Sequence, residues 1–236
     1  MATAFGRNWL DTRRLYKERP VLDWSRIDTV LLDMDGTLLD LRFDNWFWQE
    51  LLPERWGAAR GLDLETAQRE LRPVFEREEG TLNWYCVDHW TRALGVDVAA
   101  LKREHEHEIR VHPHVVEFLD AVRGLGKRVV LVTNAHRTAL DIKLGATGIG
   151  GHFDAVHSSH DYGAPKEDAA FWQRLAAREP FDRATTLFVD DSRAVLEAAR
   201  DYGIEWIVAV ARPDSTRAAR THGGFRHIHD FSELMP

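Results

Sequence analysis

Two aspartates one residue apart, Asp33 and Asp35, come directly after a hydrophobic run that begins at Thr29. The run has the length and the β-branched start of a strand buried on both faces, and Gly36 permits a sharp turn after it. Side chains alternate between the two faces of a strand, so continued pleating would place both carboxylates on one face and bury Met34 on the other. Neighbouring carboxylates repel each other. Both carboxylates stay ionised only beside a cation. The cation best suited to this position is a hard divalent ion that prefers oxygen ligands.

The elements that must position these groups alternate between strands and helices from about residue 112 onward. Apolar residues at spacings of three and four predict a helix over 114–125. Further strands are predicted at 128–132, 153–156, 185–189 and 204–210. This alternation predicts an α/β fold, a doubly wound parallel sheet, which binds ligands at the carboxyl ends of its strands.

Polar side chains follow the ends of these predicted strands. Thr133 and Asn134 come directly after the strand that begins at residue 128. Asp190 and Asp191 follow the strand that begins at residue 185, and Lys166 lies in a loop between the two pairs. Each residue alone is equally well explained as a helix cap, a surface lysine or a solvated turn. Their joint occurrence at one edge of the sheet favours a catalytic set.

In the order and setting of these groups the chain resembles the haloacid dehalogenase (HAD) superfamily, most of whose members are phosphatases. The resemblance is carried by residues 33–37, Thr133, Lys166 and residues 190–191. It implies that Asp33 is a nucleophile that forms an aspartyl-phosphate. It implies that Asp35 protonates the leaving oxygen and later takes a proton from the hydrolytic water.

The same resemblance implies an Mg²⁺ site and a phosphate site. The Mg²⁺ ligands would be a carboxylate oxygen of Asp33, the backbone carbonyl of Asp35 and the side chain of Asp191, with Asp190 behind them. Thr133 would hydrogen-bond the phosphoryl group, and Lys166 would offset its charge. Backbone N–H groups near Met34 and Asn134 would add contacts to the anion.

Residues 41–111 have helical periodicity throughout, and about four or five helices in this position cannot belong to the sheet. We therefore predict three parts. These are an N-terminal extension at 1–27, which includes a short helix and a break at Pro20, an α/β core at 28–40 and 112–236, and a helical cap at 41–111. Within the cap, Lys102 has charged neighbours and is expected on a solvated helix face.

The predicted cap is rich in aromatic residues, and flat rings beside amide or acid groups can stack on a nucleobase and bond its edge. Packing between helices explains most such rings equally well. The segments LLDMDGTLLDLRFDNWFW, TLNWYC, TNAH, PKED and VDDS resemble the bacterial GMP/IMP nucleotidases, HAD phosphatases that dephosphorylate purine 5′-mononucleotides. This resemblance implies a purine nucleoside monophosphate as substrate. Candidate base-reading residues are Asp44, Asn45, Asn83 and Trp84.

Composition limits the classes of protein to consider. A hydrophobic content of 44% is enough for a packed interior, and a net charge of -7 argues against a nucleic-acid or anionic-membrane partner. Cys86 is the single cysteine, so an intrachain disulfide or a multi-cysteine metal cluster is excluded. With no signal-peptide pattern and no run of roughly 20 apolar residues, we expect a cytoplasmic protein.

Three functions stay open at this point. The favoured one is an Mg²⁺-dependent phosphomonoesterase acting on GMP or IMP. The others are a sugar-phosphate phosphatase or phosphomutase of the same fold, and a HAD-like scaffold that only binds a ligand. Dehalogenases of this fold lack an acid at the position that Asp35 occupies here. Phosphonate-cleaving relatives use a lysine of the cap, and the solvated Lys102 is a poor candidate for that role.

Overall fold

The structure is a computed structural model that describes residues 22–236. The short helix predicted before Pro20 lies outside the described residues. Among the described residues, no helix is both long enough and apolar enough to cross a membrane.

A six-stranded, fully parallel sheet forms the centre of the molecule, with strand order β3-β2-β1-β4-β5-β6. The strands are β1 Thr29–Leu32, β2 Arg128–Thr133, β3 Ala155–Ser158, β4 Thr186–Asp190, β5 Trp206–Val210 and β6 Arg226–Ile228. Helices cover both faces, which confirms the predicted fold class. The order reverses beside β1, so β1 lies between β2 and β4, where such sheets bind ligands.

Alternation along the central strand divides the interior into two hydrophobic clusters. Val30 and Leu32 point into one cluster, whereas Leu31 points into the other. Helices α7 (Val115–Gly124) and α8 (Arg137–Thr147) contribute to the first cluster. The opposite face is covered by α9 Ala169–Arg178 and α10 Arg193–Tyr202. A strand buried on both faces in this way needs the continuous hydrophobic run that precedes Asp33.

Between β1 and α7 the chain forms a helical segment, residues 42–108, that contains no strand. Its α-helices are α1 Arg42–Trp46, α2 Leu52–Ala58, α3 Leu64–Glu76, α4 Leu82–Tyr85, α5 Val87–Leu94 and α6 Val98–Glu104. A π-helical turn, Phe47–Leu51, joins α1 to α2, and a 3₁₀ turn, Glu106–Glu108, follows α6. Phe43, Phe47 and Leu71 pack into the same cluster as Val30. The division into cap and core stays a prediction.

Two features of the sheet differ from the prediction. The strand predicted at 153–156 begins two residues later, at Ala155, because Asp154 closes its start: the Asp154 carboxylate accepts the Val129 N–H at 2.8 Å. Strand β6 was not predicted, since two of its three residues are exposed and no hydrophobic pattern marks it. Ser192 occupies the N-cap position of α10, but its side chain makes no capping hydrogen bond in the described part of the chain.

Candidate active site

A cavity of about 610 Å³ opens where the carboxyl ends of β1, β2 and β4 meet the helical segment. The strand register explains why the predicted residues converge there. Leu32 pairs with Leu131 on one side and with Val189 on the other, so the residues that follow the three strands lie side by side. The cavity lining includes the predicted catalytic, phosphate-binding and metal-binding residues at these strand ends: Asp33, Asp35, Thr133, Asn134, Lys166, Asp190 and Asp191.

Lys166 is buried between two of these carboxylates. Its ammonium donates to Asp33 Oδ1 at 2.5 Å and to Asp190 Oδ2 at 2.7 Å, and its side chain is only 2% exposed. Two contacts fix the backbone of this residue: its N–H donates to Asn134 Oδ1 at 2.9 Å, and its carbonyl accepts the Trp172 indole N–H at 2.8 Å. Burial opposes the charge, yet the two carboxylates hold the pKa of Lys166 above its usual value.

Three carboxylates share the space beside this lysine. One oxygen from each of Asp33, Asp190 and Asp191 lies within 4.8 Å of the others. Burial raises the pKa of Asp33 to about 6, and burial together with Asp190 raises the pKa of Asp191 well above 3.8. The nearest cation to Asp191 among the described residues is Arg220, at 3.5 Å. The cluster therefore carries more negative charge than its lysine can offset.

This donor set fits the predicted Mg²⁺. Asp190 already accepts from Lys166 and, through Oδ1, from the Ser192 N–H at 2.8 Å. Within residues 22–236 the Asp191 carboxylate accepts no hydrogen bond, which suits it better to ligation than Asp190. The turn at Gly36 has φ +86°, and a Cβ there would lie 2.7 Å from Asp191 Cγ. Only glycine lets the backbone after Asp35 come so close to this carboxylate.

Three residues were predicted to contact the phosphoryl group: Thr133, Asn134 and Met34. Thr133 is 1% exposed and keeps its hydroxyl at the cavity, where Oγ1 accepts the Ala135 N–H at 3.0 Å. Asn134 has both ends of its amide engaged, by the Lys166 N–H and by Glu167. The Met34 side chain lies in the hydrophobic cluster, as alternation predicts, so only its backbone can face the site.

A second ion-pair network surrounds Asp35, and sequence reasoning missed its centre, Lys143. The Lys143 ammonium donates to Asp35 Oδ1 and to Asp44 Oδ2, both at 2.6 Å. Asp44 in turn accepts from Lys102 at 2.9 Å. Burial raises the pKa of Asp35 to about 6, against the opposing effect of Lys143. An acid with a pKa near neutrality suits proton transfer to a leaving group.

The prediction of a solvated Lys102 is wrong. Its side chain is 3% exposed, and its ammonium lies 4.1 Å from the centre of the Phe47 ring. Burial lowers the pKa of Lys102, and the neighbouring Asp44 opposes that shift. The exposure of Lys102 therefore gives no reason to exclude phosphonate cleavage.

A signal for both buried lysines was present in the sequence. Lys102 continues the apolar stripe of Val98 and Leu101, and Lys143 lies four residues after Ala139 and three after Leu140. A lysine at core spacing on an amphipathic helix faces the interior with the rest of the stripe. Arg220, Thr221 and His222, which also line the cavity, follow β5 in an irregular stretch that carries no such signal.

The four candidate base-reading residues have different surroundings. Asp44, Asn45 and Trp84 line the cavity, whereas Asn83 does not and donates to Glu78 at 3.0 Å. Asp44 is held by two lysines, and the Asn45 amide donates to Asp214 at 2.6 Å. Trp84 is 36% exposed at the cavity. Of the four, Trp84 is the one that offers a free face to a ligand.

The haloacid dehalogenase-like hydrolase family profile matches residues 27–203 of the chain. The chain therefore belongs to this family, which confirms the superfamily inferred from the four motifs.

Two relatives and one solved structure agree with that membership. The chain is 42% identical over 213 residues to the GMP/IMP nucleotidase YrfG of Escherichia coli K12, covering 90% of this chain and 96% of the relative. It is 25% identical over 223 residues to the 6-phosphogluconate phosphatase of the same organism, covering 89% and 95%. A HAD phosphatase from Thermococcus onnurineus matches with a TM-score of 0.76 at 20% identity, covering 88% and 96%. Family and relatives confirm the predicted enzyme class, a phosphoric monoester hydrolase.

Replacing Lys143 with methionine should move the pH dependence of turnover. Lys143 lowers the pKa of Asp35 and Asp44 raises it, so the K143M change raises the pKa of Asp35 further above 3.8. Asp35 then stays protonated to higher pH. The alkaline limb of kcat against pH should shift upward, and kcat should fall as the acid loses its fixed position.

The matched control is Lys127→Met, because Lys127 lies before β2 and outside the cavity lining. Its pH profile should coincide with that of the unchanged protein. An alkaline limb that stays in place in K143M, with the fold intact by circular dichroism, would contradict the role of Lys143.

Proposed function

We propose that the protein is an Mg²⁺-dependent phosphomonoesterase that works through an aspartyl-phosphate and hydrolyses purine 5′-mononucleotides to nucleoside and phosphate. The observation that carries the proposal is the placement of Asp33, paired with Lys166 and within 4.8 Å of an Asp191 oxygen, in the lining of a cavity that also has aromatic residues in its lining. A carboxylate held beside a lysine and a potential metal ligand is suited to attack phosphorus.

Each residue has a role that its position supports. The Asp33 carboxylate attacks the phosphorus, Lys166 offsets charge on Asp33 and on the phosphoryl oxygens, and Thr133 hydrogen-bonds the transferring group. Asp35, whose pKa is raised to about 6, protonates the departing ribose oxygen and then takes a proton from the water that attacks the acyl phosphate.

Mg²⁺ would be held by the carboxylates of Asp33 and Asp191 and by the Asp35 carbonyl, with Asp190 oriented behind them by Lys166 and the Ser192 N–H. The chemistry that this ion supplies when bound is neutralisation of the repulsion between the carboxylates and a phosphate dianion.

Two observations support a purine substrate. The cavity extends from the carboxylates to a wall formed by Trp48, Phe75, Trp84, Tyr85 and Trp90. Aromatic surface of this kind stacks on a flat base, and Trp84 is the most exposed of these residues. The relative at 42% identity is a GMP/IMP nucleotidase. The 6-phosphogluconate phosphatase at 25% identity keeps a sugar phosphate as the second candidate substrate.

The Asp33→Asn change should abolish phosphate release from every substrate. An amide is a poor nucleophile, while its shape preserves the packing around Lys166. Turnover is measured with GMP and IMP in Mg²⁺, and the fold is checked by thermal unfolding. Asp201→Asn, at a 71% exposed side chain, is the matched control and should behave as the unchanged protein. Substantial activity in D33N would remove Asp33 as the nucleophile.

The Asp191→Asn change should raise the Mg²⁺ concentration needed for half-maximal activity by roughly tenfold or more. Removing Mg²⁺ with a chelator should abolish phosphate release from the unchanged protein, and added Mg²⁺ should restore it. Asp201→Asn again provides the control. An unaltered Mg²⁺ requirement in D191N would show that Asp191 does not bind the ion.

The substrate prediction is tested by comparing phosphate release from GMP, IMP, pyrimidine mononucleotides and hexose phosphates. We expect the highest kcat/KM for the purine nucleotides. Trp84→Leu should raise KM for GMP and leave kcat/KM for a small ester such as glycerol phosphate unchanged, because only the base contacts the ring.

The control for this change is Trp56→Leu. Trp56 lies in the same helical segment, stacks with Arg60 and does not line the cavity. A clear preference for hexose phosphates would replace the nucleotidase proposal with the sugar-phosphate one, while leaving the roles of Asp33 and Asp35 intact.

A further inference from the structure

Outside the carboxylate cluster, the fold brings together one thiol and two imidazoles. One ligand atom from each of Cys86, His136 and His160 lies within 4.8 Å of the others. We call these three residues the Cys86 cluster. Cys86 is the N-cap of α5 in the helical segment, His136 is the N-cap of α8 after β2, and His160 lies in the 3₁₀ turn Ser159–Tyr162 after β3. Three separate parts of the chain therefore meet here.

The imidazole of His160 has a nitrogen available to a metal. Its Nε2 atom is buried and has no hydrogen-bond partner in the described part of the chain. A neutral imidazole nitrogen is a common ligand for transition metals. A buried polar atom without a partner is destabilising, and a bound ion would remove that cost.

The other two side chains are placed to complete the set. The rings of His136 and His160 lie edge to face, with centroids 5.0 Å apart. Cys86 Sγ accepts the His89 N–H at 3.4 Å, in the first turn of α5. The thiolate is the form of cysteine that binds metals. Among the described residues, the three side chains make no hydrogen bonds to one another, so polar bonding within the cluster does not explain their convergence.

We propose that the Cys86 cluster is a second metal site, which binds one ion of the Zn²⁺ class through the Cys86 thiolate and the two imidazoles. One sulfur and two nitrogen donors suit Zn²⁺, whereas Mg²⁺ requires oxygen ligands. A water molecule would take the fourth position; the Asp88 carboxylate lies beside the cluster, with its Oδ2 3.9 Å from His136 Nε2. Ion binding releases the thiol proton to solvent.

Such an ion would join the helical segment to the sheet at the rim of the cavity. Tyr85, the residue before Cys86, already donates to Glu167 at 2.6 Å, and Glu167 also accepts from Asn134. Both Tyr85 and Asn134 line the cavity. An ion bound by Cys86, His136 and His160 together would reinforce this contact. It would hold the edge of the helical segment against the substrate site.

Cobalt(II) is a suitable probe because its thiolate complexes absorb in the near ultraviolet and its tetrahedral complexes absorb strongly in the visible. Tag-free, reduced protein titrated with Co²⁺ should develop both bands and saturate at one equivalent, and Zn²⁺ should abolish them. The chain has a single cysteine, so any sulfur-to-cobalt band arises from Cys86. Cys86→Ser should lose the near-ultraviolet band, and His136→Gln or His160→Gln should weaken Co²⁺ binding by roughly tenfold or more.

Two variants separate this site from its surroundings. Asp191→Asn removes a predicted Mg²⁺ ligand and should keep the thiolate band, which would show that cobalt is not reporting the carboxylate cluster. His107→Gln alters a 68% exposed histidine outside the Cys86 cluster and should also keep it. Loss of the band in either variant would contradict the assignment.

A measurement on the unchanged protein does not depend on the folding of any variant. Zn²⁺ should slow the reaction of Cys86 with a thiol reagent and raise the midpoint of thermal unfolding, whereas Mg²⁺ should leave the thiol reaction unaffected. If the folded protein develops no thiolate band with Co²⁺, or if Zn²⁺ leaves Cys86 equally reactive, the proposed site does not exist. Neither result bears on the phosphatase proposal, which depends on Asp33.

Discussion

The structure depends on one buried charge arrangement, in which Lys166 lies between Asp33 and Asp190. Carboxylates without a partner would be too costly to bury at the ends of the hydrophobic strands β1 and β4, and a lysine alone would be equally costly. The two carboxylates and the lysine are stable there because each supplies the opposite charge that the other requires. This mutual requirement holds the loop of Lys166 against β1 and β4, with Trp172 and Asn134 fixing its backbone.

Lys166 balances only part of the charge around it. Asp191 lies in the same small volume, and its nearest counter-ion within residues 22–236 is the half-exposed Arg220, so three carboxylates face two cations. That imbalance is a structural cost in the isolated chain, and it is also what would give the site affinity for the proposed Mg²⁺. A strong metal site of this kind would work against the stability of the sheet edge, as is usual for functional sites.

The fold and the carboxylate cluster could be predicted because they depend on short-range patterns. A hydrophobic run marks each strand. Since parallel strands all end at the same edge of the sheet, the positions of Asp33, Thr133 and Asp191 at strand ends are enough to predict that they meet. Lys143 and Asp44 are different: they lie 99 positions apart, and no local pattern pairs them. Asp44 was predicted to read a base, yet it is held between two lysines, because the side chains opposite it depend on how the helical segment packs. The Cys86 cluster was missed for the same reason.

The second network links the position of the helical segment to the chemistry of Asp35. Asp44 and Lys102 belong to that segment, whereas Lys143 and Asp35 belong to the sheet and its helices. Asp44 raises the pKa of Asp35 directly, and it also shares the Lys143 ammonium that lowers this pKa. Burial is the largest cause of the raised pKa of Asp35, about 6, and Asp44 adds to it, so Asp35 keeps its proton to higher pH than an ordinary carboxyl. Moving the segment away would remove both effects and leave Lys143 to Asp35 alone, which lowers the pKa and favours the carboxylate. In the proposed mechanism, the proton for the leaving group is therefore retained best when the helical segment lies as it does in this structure.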